Sequence, residues 1–249
     1  MWSARNSLQL NPTKCKFMSL TRKHSRINSS YNINGTGLER VDSLSLLGVT
    51  ISKDLKWDLH VKNVVSRSNK LLGFIRHVAG ECNSDVLLQL YRTMVLPILD
   101  YCAPVWSPHN ANLISSLERV QRTATRAILH QRRREQEYDM RLERLQLSTL
   151  SQRRNYLSIC LIAKCLSTPV CHDSMPSLSS IKPNTRHLEH LKFHHLYART
   201  DALLHNSIYS FPSKWSALPY NISDSFLCNS FSNFKTLLRD HVKSRSDVD

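Results

Sequence analysis

The first fifty residues alternate short apolar stretches with turn residues, a pattern typical of strands rather than helices. Residues 31–33 suit a short strand. Asn34-Gly35 after them is a strong hairpin signal, because both central residues of a type I′ turn need a positive φ. Residues 44–51 form a further apolar, β-prone run. Residues 8–52 are therefore predicted to form a small β-rich unit.

From Trp57 onward the apolar spacing changes to three and four residues, the stripe of an amphipathic helix. Asn83 or Ser84 is suited to cap the second such helix, and Asn110 or Asn112 the third. The five predicted stripes are Val61, Val64, Val65, Ser68, Leu71, Leu72 and Ile75; Leu87, Leu90, Tyr91 and Met94; Leu113, Leu117, Val120, Ala124 and Ile128; Tyr138, Leu142 and Leu145; and Tyr156, Leu157, Cys160, Leu161 and Cys165.

The last third of the chain begins with a change of composition. Residues 168–186 place prolines among serine and threonine and predict a linker. Residues 187–249 have enough aromatic mass to dock on the helical body but too few residues for a core of their own. The predicted fold is mainly α, with an N-terminal β-hairpin unit over 1–55 and a helical bundle over 56–167. The large apolar residues of the C-terminal segment are Phe211, Trp215, Leu218, Phe226, Phe231 and Phe234.

Charge narrows the choice of partner. The 249 residues include 34 Lys and Arg against 19 Asp and Glu, a formal net charge of +15. Residues 1–134 hold 20 of these basic residues and 8 of the acidic ones. A surface this positive favours a polyanionic partner, and nucleic acid is favoured over an anionic membrane.

Two further features bear on the location of the protein. No apolar run is long enough to span a membrane. The cysteines are scattered without CxxC pairs, which indicates an intracellular protein with reduced thiols.

Two basic clusters are candidate nucleic-acid contacts. Arg119, Arg122 and Arg126 share one face of the predicted third helix, opposite its apolar stripe, and such a row can follow phosphates. The alternative is an ordinary solvated face. The row continues into Arg132, Arg133 and Arg134, and Lys14 and Lys16 form a second cluster beside the predicted hairpin.

No residue pattern predicts catalysis by this chain. Two-metal polymerases and nucleases need closely spaced carboxylates, whereas the sequence has no Asp-Asp pair and its single Asp-x-Asp is Asp247 and Asp249 at the end. Phosphate loops and nucleophile elbows are also missing. One weak zinc constellation is present but lacks paired short spacings, so we predict no metal and no cofactor. Its members are Cys160, Cys165, Cys171, His172, His187, His190 and His194.

Several segments resemble reverse transcriptases of non-LTR (LINE-like) retrotransposons. Residues 8–15, LQLNPTKC, are similar to the "LxLNxxKC" element late in the palm. Residues 31–35, YNING, followed by LLGVTI at 46–51 and by Leu55, Trp57 and His60, are similar to the "xxING…YLGVxID…LxWxxH" stretch.

The resemblance continues towards the other end of the chain, in the same order as in that family. Residues 90–106 resemble the thumb motif "LYxxLVxPxLEYxxxVW". Residues 117–126, LERVQRTATR, are close to "LERVQRRATR". The segments ART at 198–200 and WSALP at 215–219 are similar to "xRT" and "WNxLP".

The resemblance implies a palm remnant with a primer-grip hairpin over 1–55, a helical thumb over 56–167, and a C-terminal extension over 187–249. Leu47, Gly48 and Val49 would be primer-grip-like. RNA or an RNA–DNA hybrid would be the partner, together with the palm and fingers of a parent polyprotein. The family's catalytic "[FY]ADD" has no counterpart here, so we expect a truncated polymerase fragment that grips nucleic acid. Magnesium is expected only for the complete polymerase. The alternative is a domesticated or non-functional protein-binding scaffold.

We predict that this chain alone does not extend a primer on an RNA template with any divalent metal, because the paired carboxylates are missing. A primer-extension assay checks this, with a mock purification as the control. Extension above that control would contradict the prediction.

Overall fold

The computed structural model describes residues 5–8, 10–20, 29–131, 136–168, 180–181, 192–193, 197–228 and 231–244. The chain divides into two compact units, Met1–Lys62 and Asn63–Asp249. The predicted mainly α class is confirmed, with a few short strands. Most of the predicted linker 168–186 lies outside the described residues. Within it, strand Ser180–Ile181 pairs antiparallel with Lys192–Phe193.

The described residues of the first unit form three small strand pairs. Lys16–Phe17 (β1) pairs parallel with Glu39–Arg40 (β4). Asn32–Ile33 (β2) pairs with Thr36–Gly37 (β3) around Asn34 and Gly35, which have φ of 52° and 80°. These angles are those of a type I′ turn and confirm the predicted hairpin.

A second tight hairpin follows in the apolar run 44–51. Ser43–Leu46 (β5) pairs antiparallel with Val49–Ser52 (β6), and Leu46 lies opposite Val49. Leu47 and Gly48 form the two-residue loop, with φ of 48° and 83°. The sequence analysis predicts β structure here but not the turn. A leucine at positive φ is sterically disfavoured, so residue preference alone did not indicate a turn at this position.

The described helices account for most of the remaining chain, and none of them is long and apolar enough to cross a membrane. They are α1 Asp58–Ala79, α2 Ser84–Leu90, α3 Leu96–Asp100, α4 Ala103–Trp106, α5 Ala111–Ile128, α6 Tyr138–Arg144, α7 Leu150–Ser167, α8 Asp201–Leu204, α9 Ser207–Ser216, α10 Tyr220–Cys228 and α11 Phe231–Ser244.

Helices α2 and α3 are joined without a break by a π turn over Tyr91–Val95. Pro97 lacks an N–H and its ring crowds the carbonyl four residues earlier, and a wider turn relieves that clash. The extra residue also shifts the helical register. Val95 is therefore buried, whereas Met94 is 40% exposed, and its predicted place on the apolar stripe is wrong.

Helix α5 follows its prediction closely. The Asn110 side chain accepts a hydrogen bond from the Asn112 N–H at 2.8 Å, which satisfies one of the free donors at the helix start. Leu113 is half-buried. The rest of the predicted stripe faces the core, and its buried members are Leu117, Val120, Ala124 and Ile128.

Helix α7 is the central helix of the second unit. A capping box between Thr149 and Gln152 begins it. It contacts α3, α4 and α5 as well as α9 and α11. Because neighbours cover several of its sides, its buried surface is wider than one stripe. Ile162 and Ala163 are buried, whereas Leu161 is 42% exposed, so the predicted stripe is wrong at Leu161.

The C-terminal segment packs against α7 in one aromatic core. Trp215 is 2% exposed. Its ring lies 5.3–5.7 Å from four phenylalanine rings by centroid distance. Ile159 and Ile162 of α7 belong to the same cluster, and Leu218 packs against it. The predicted docking of this segment on the helical body is therefore confirmed. The four rings are Phe193, Phe211, Phe226 and Phe234.

We predict that Trp215→Ala lowers the free energy of unfolding by about 3–5 kcal/mol, because it removes the largest side chain of this core and leaves a cavity. Denaturant unfolding followed by far-UV circular dichroism measures the change. Tyr197→Ala is the matched control, since that ring is 83% exposed, and it should change stability by less than about 0.5 kcal/mol. Equal effects of the two substitutions would contradict the assigned packing.

Candidate nucleic-acid interface

Helix α5 carries the arginine face, which we define as Arg119, Arg122 and Arg126. Arg119 and Arg122 are exposed and Arg126 is half-buried. The Arg126 Nε donates a hydrogen bond to the Arg122 carbonyl oxygen at 3.1 Å. The side chains lie at i, i+3 and i+7, so they follow one line along the helix.

The opposite face of α5 is held by a buried polar network. The Tyr138 hydroxyl donates to Glu118, and the Leu150 N–H donates to the same carboxylate oxygen at 3.2 Å. Gln121 donates from its Nε2 to the Tyr138 hydroxyl at 3.1 Å and accepts from the Tyr91 hydroxyl at 2.8 Å. The network joins α5 to the π turn, to α6 and to the start of α7.

Burial determines the protonation of this network. Desolvation, followed by the charge of Asp100, raises the pKa of Tyr91 well above its ordinary value. Desolvation and the charge of Glu118 raise the pKa of Tyr138 in the same way. Both hydroxyls therefore stay neutral donors over the whole working range of pH. Burial also lowers the pKa of Arg154, and the charge of Glu118 opposes that shift.

Tyr138 also positions the arginine face. The Arg122 guanidinium carbon lies 4.8 Å from the centre of the Tyr138 ring, and that of Arg141 lies 5.6 Å away. Such cation–π contacts restrict where a long side chain can point. The sequence analysis did not identify Tyr138 or Arg141 as part of the site. In the sequence, Tyr138 was recognisable only as the first residue of the fourth predicted apolar stripe.

Positive charge is concentrated around this ring. Arg141 is buried, and its Nε donates to the Thr125 hydroxyl at 3.2 Å. Desolvation lowers the pKa of Arg141, and the nearby charges of Arg126 and Arg122 lower it further. The predicted continuation of the row through residues 132–134 lies outside the described residues.

The N-terminal candidates lie in the first unit. Lys14 ends a 3-10 turn, Pro12–Lys14, that begins at Asn11. Lys16 forms an ion pair with Glu39 at 2.9 Å, and both side chains are exposed. Part of the Lys16 charge is therefore neutralised within the chain. Lys14 is also exposed.

The three primer-grip-like residues lie at the tip of the second hairpin and just after it, and they differ in exposure. Leu47 at the tip is 83% exposed, whereas Val49 is buried. The Thr50 N–H donates to the His60 Nδ1 at 3.1 Å, so the hairpin is attached to the first turn of α1. Burial lowers the pKa of His60 and keeps its ring neutral, as an acceptor requires.

The weak zinc constellation in the sequence falls largely outside the described residues. Cys160 and Cys165 lie on α7 as thiols and not in a disulfide. Burial raises the pKa of Cys160, which disfavours the thiolate that binds metals. Within the described part of the chain, no group of three metal-ligating side chains comes together. Cys171, His172, His187, His190 and His194 are the members that the structure does not describe.

Comparisons of this chain with protein-family models, with curated proteins and with solved structures find no match. Function must therefore be inferred from the residues of the chain itself. The arginine face is the strongest candidate site, because one side of α5 is fixed by buried contacts and the other exposes arginines.

We predict that Glu118→Ala lowers the free energy of unfolding by about 3–5 kcal/mol, because it leaves the Tyr138 hydroxyl and the Leu150 N–H without their acceptor. Glu118→Gln keeps one carbonyl oxygen and should lose about 1–2 kcal/mol. Chemical denaturation measures all three proteins. The control is Glu143→Ala on the exposed side of α6, which should be nearly neutral. A neutral Glu118→Ala would show that the network does not hold α5.

Proposed function

We propose that this chain binds RNA or an RNA–DNA hybrid, as the template–primer-gripping part of a reverse transcriptase of the non-LTR retrotransposon type. The arginine face of α5 is the observation that carries the proposal. In that role the chain holds the nucleic acid and supplies no carboxylates for bond formation. The resemblance of residues 117–126 to a thumb motif of that family supports the same helix as the contact.

The dimensions of the arginine face suit a sugar–phosphate backbone. Arg119 and Arg126 are seven residues apart, which is about 10 Å of helix. Successive phosphates of one duplex strand are about 3 Å apart along the axis, so this length matches about three phosphates. Guanidinium groups bind phosphate through two parallel N–H donors. The stacking of Arg122 on Tyr138 restricts the orientation of one of the three guanidinium groups before binding.

The first unit offers a second contact of a different kind. The tip of the β5–β6 hairpin exposes Leu47, a large apolar side chain, next to a glycine. An exposed apolar tip can rest against a sugar or a base. We assign this tip to the primer-grip role implied by the family resemblance. Lys14, an exposed cation of the same unit, supplies a phosphate contact in the same proposal.

The alternative of a protein-binding scaffold depended on the aromatic side chains of the C-terminal segment. Phe211, Trp215 and Phe234 are each at most 2% exposed. A partner could not contact these rings without opening the core. The exposed arginine face gives nucleic-acid binding the stronger support.

We predict that nucleic-acid affinity falls steeply with salt, and that the triple variant R119A/R122A/R126A flattens that dependence. Each lost phosphate contact removes about 0.7–0.9 from the slope of log K against log salt, so the slope should change by about two to three. Fluorescence anisotropy with a labelled RNA–DNA hybrid at several salt concentrations measures it.

A matched control separates the arginine face from net charge alone. Lys70, Lys164 and Lys235 are exposed on α1, α7 and α11, and K70A/K164A/K235A removes the same formal charge. This variant should keep most of the wild-type slope. Equal slopes for the two triple variants would show that the arginine face is an ordinary solvated surface.

A further inference from the structure

A groove of about 620 Å³ lies where α1 and α5 end and α2 begins. Its charged and polar lining comes from Arg76 of α1, from Thr123 and Arg126 of α5, and from His130 and Gln131 just after α5. No described residue that lines it is acidic. Its volume is in the range of sites that hold a small molecule or a nucleotide.

His130 has an unusual backbone conformation at the edge of this groove. Its φ is 51°, in the left-handed region where glycine is usual. Its N–H donates to the Ala127 carbonyl at 3.2 Å, and the Gln131 N–H donates to the Arg126 carbonyl at 3.0 Å. These two bonds form a Schellman motif. A histidine in place of glycine at this position is less stable by about 1 kcal/mol, and such strain occurs most often at functional sites.

The His130 side chain links α5 to the turn between α1 and α2. Its Nε2 lies 3.2 Å from the Cys82 carbonyl oxygen and must be the donor, because that oxygen can only accept. Gly80 in the same turn lies close against the end of α1, since a Cβ there would lie 2.3 Å from the Arg76 carbonyl oxygen. These contacts bring the end of α1, with Arg76, to the end of α5, with Arg126.

Two carbonyls at the end of α5 already accept hydrogen bonds from the backbone. The Schellman motif already satisfies the Ala127 and Arg126 carbonyls. Arg126 uses its Nε for the Arg122 carbonyl, so its two terminal nitrogens remain as donors for a ligand. Arg76 is exposed in the last turn of α1. Two guanidinium groups from two helices thus line one groove, an arrangement suited to a phosphate group.

We propose that this groove binds a nucleic-acid strand at two successive phosphates, with Arg126 and Arg76 as their ligands and His130 as a positioning residue. The proposal rests on the proposed function and extends it. The strand that follows the arginine face would continue past Arg126 into the groove. Arg76, which lies on another helix, would then contact the next phosphate.

The test compares Arg76→Gln with Arg67→Gln in the full chain. Arg67 is exposed nine residues earlier on α1, half a turn around the helix, and does not line the groove. The probe is a labelled single-stranded RNA of twelve nucleotides, measured by anisotropy across salt concentrations. Arg76→Gln should lower the slope of log K against log salt by about 0.7, as one lost phosphate contact requires. Arg67→Gln should leave the slope unchanged.

A second variant tests His130 without endangering the fold. His130→Gly relieves the left-handed strain and removes the imidazole link to Cys82. We expect a melting temperature equal to or above that of the wild type, together with weaker RNA binding. A higher melting temperature with unchanged RNA affinity would show that His130 does not position the site for RNA binding.

The outcomes separate this proposal from the proposed function. If Arg76→Gln and Arg67→Gln change the slope equally while R119A/R122A/R126A still flattens it, the groove proposal is overturned and the arginine face stands. If the wild type does not bind RNA or hybrid at all, the proposed function fails and the groove proposal fails with it.

Discussion

The second unit depends on a buried carboxylate. Glu118 lies on the inward face of α5 and accepts hydrogen bonds from Tyr138 of α6 and from the backbone N–H of Leu150 at the start of α7. A buried charge is stable only when such donors surround it. Three helices must therefore keep their positions for one side chain to be satisfied. Gln121 extends the same constraint to the π turn through Tyr91.

The buried hydrogen bonds also fix the direction of the arginines on the opposite side of α5. Because the inward face is held by specific hydrogen bonds, the helix cannot rotate without breaking them, and its outward arginines keep one direction. Tyr138 belongs to both sides, since its hydroxyl donates to Glu118 while its ring stacks under Arg122. A single tyrosine thus connects the stability of the bundle to the geometry of the proposed binding surface.

Charge is arranged differently inside and outside this unit. The Arg153 side chain is paired with Asp100, with Nε and Oδ2 3.1 Å apart, and the charge of Glu118 acts on the buried Arg154. The arginine face and the groove at its end have no carboxylate in the part of their lining that the structure describes. Uncompensated cations repel one another, and a polyanion relieves that repulsion on binding. Arg126 is common to both surfaces, so the strand that we propose along α5 would meet the groove directly at this residue.

Local features were predictable from the sequence, and features that join distant segments were not. The Asn34-Gly35 turn depends on neighbouring residues, so its residue types sufficed. For the same reason, residue types limited each helix cap to two nearby candidates, of which Asn83 and Asn110 are the caps. The positions of Arg119, Arg122 and Arg126 on one face followed from helical period alone. Tertiary structure decided the wide buried surface of α7, the π turn before Pro97, and the partnership of Tyr138 with Glu118. It also brought Arg76 and His130 to one groove, although 54 residues separate them in the sequence. Periodicity identifies which residues of one helix share a face, but only the packing of helices against one another determines what that face meets.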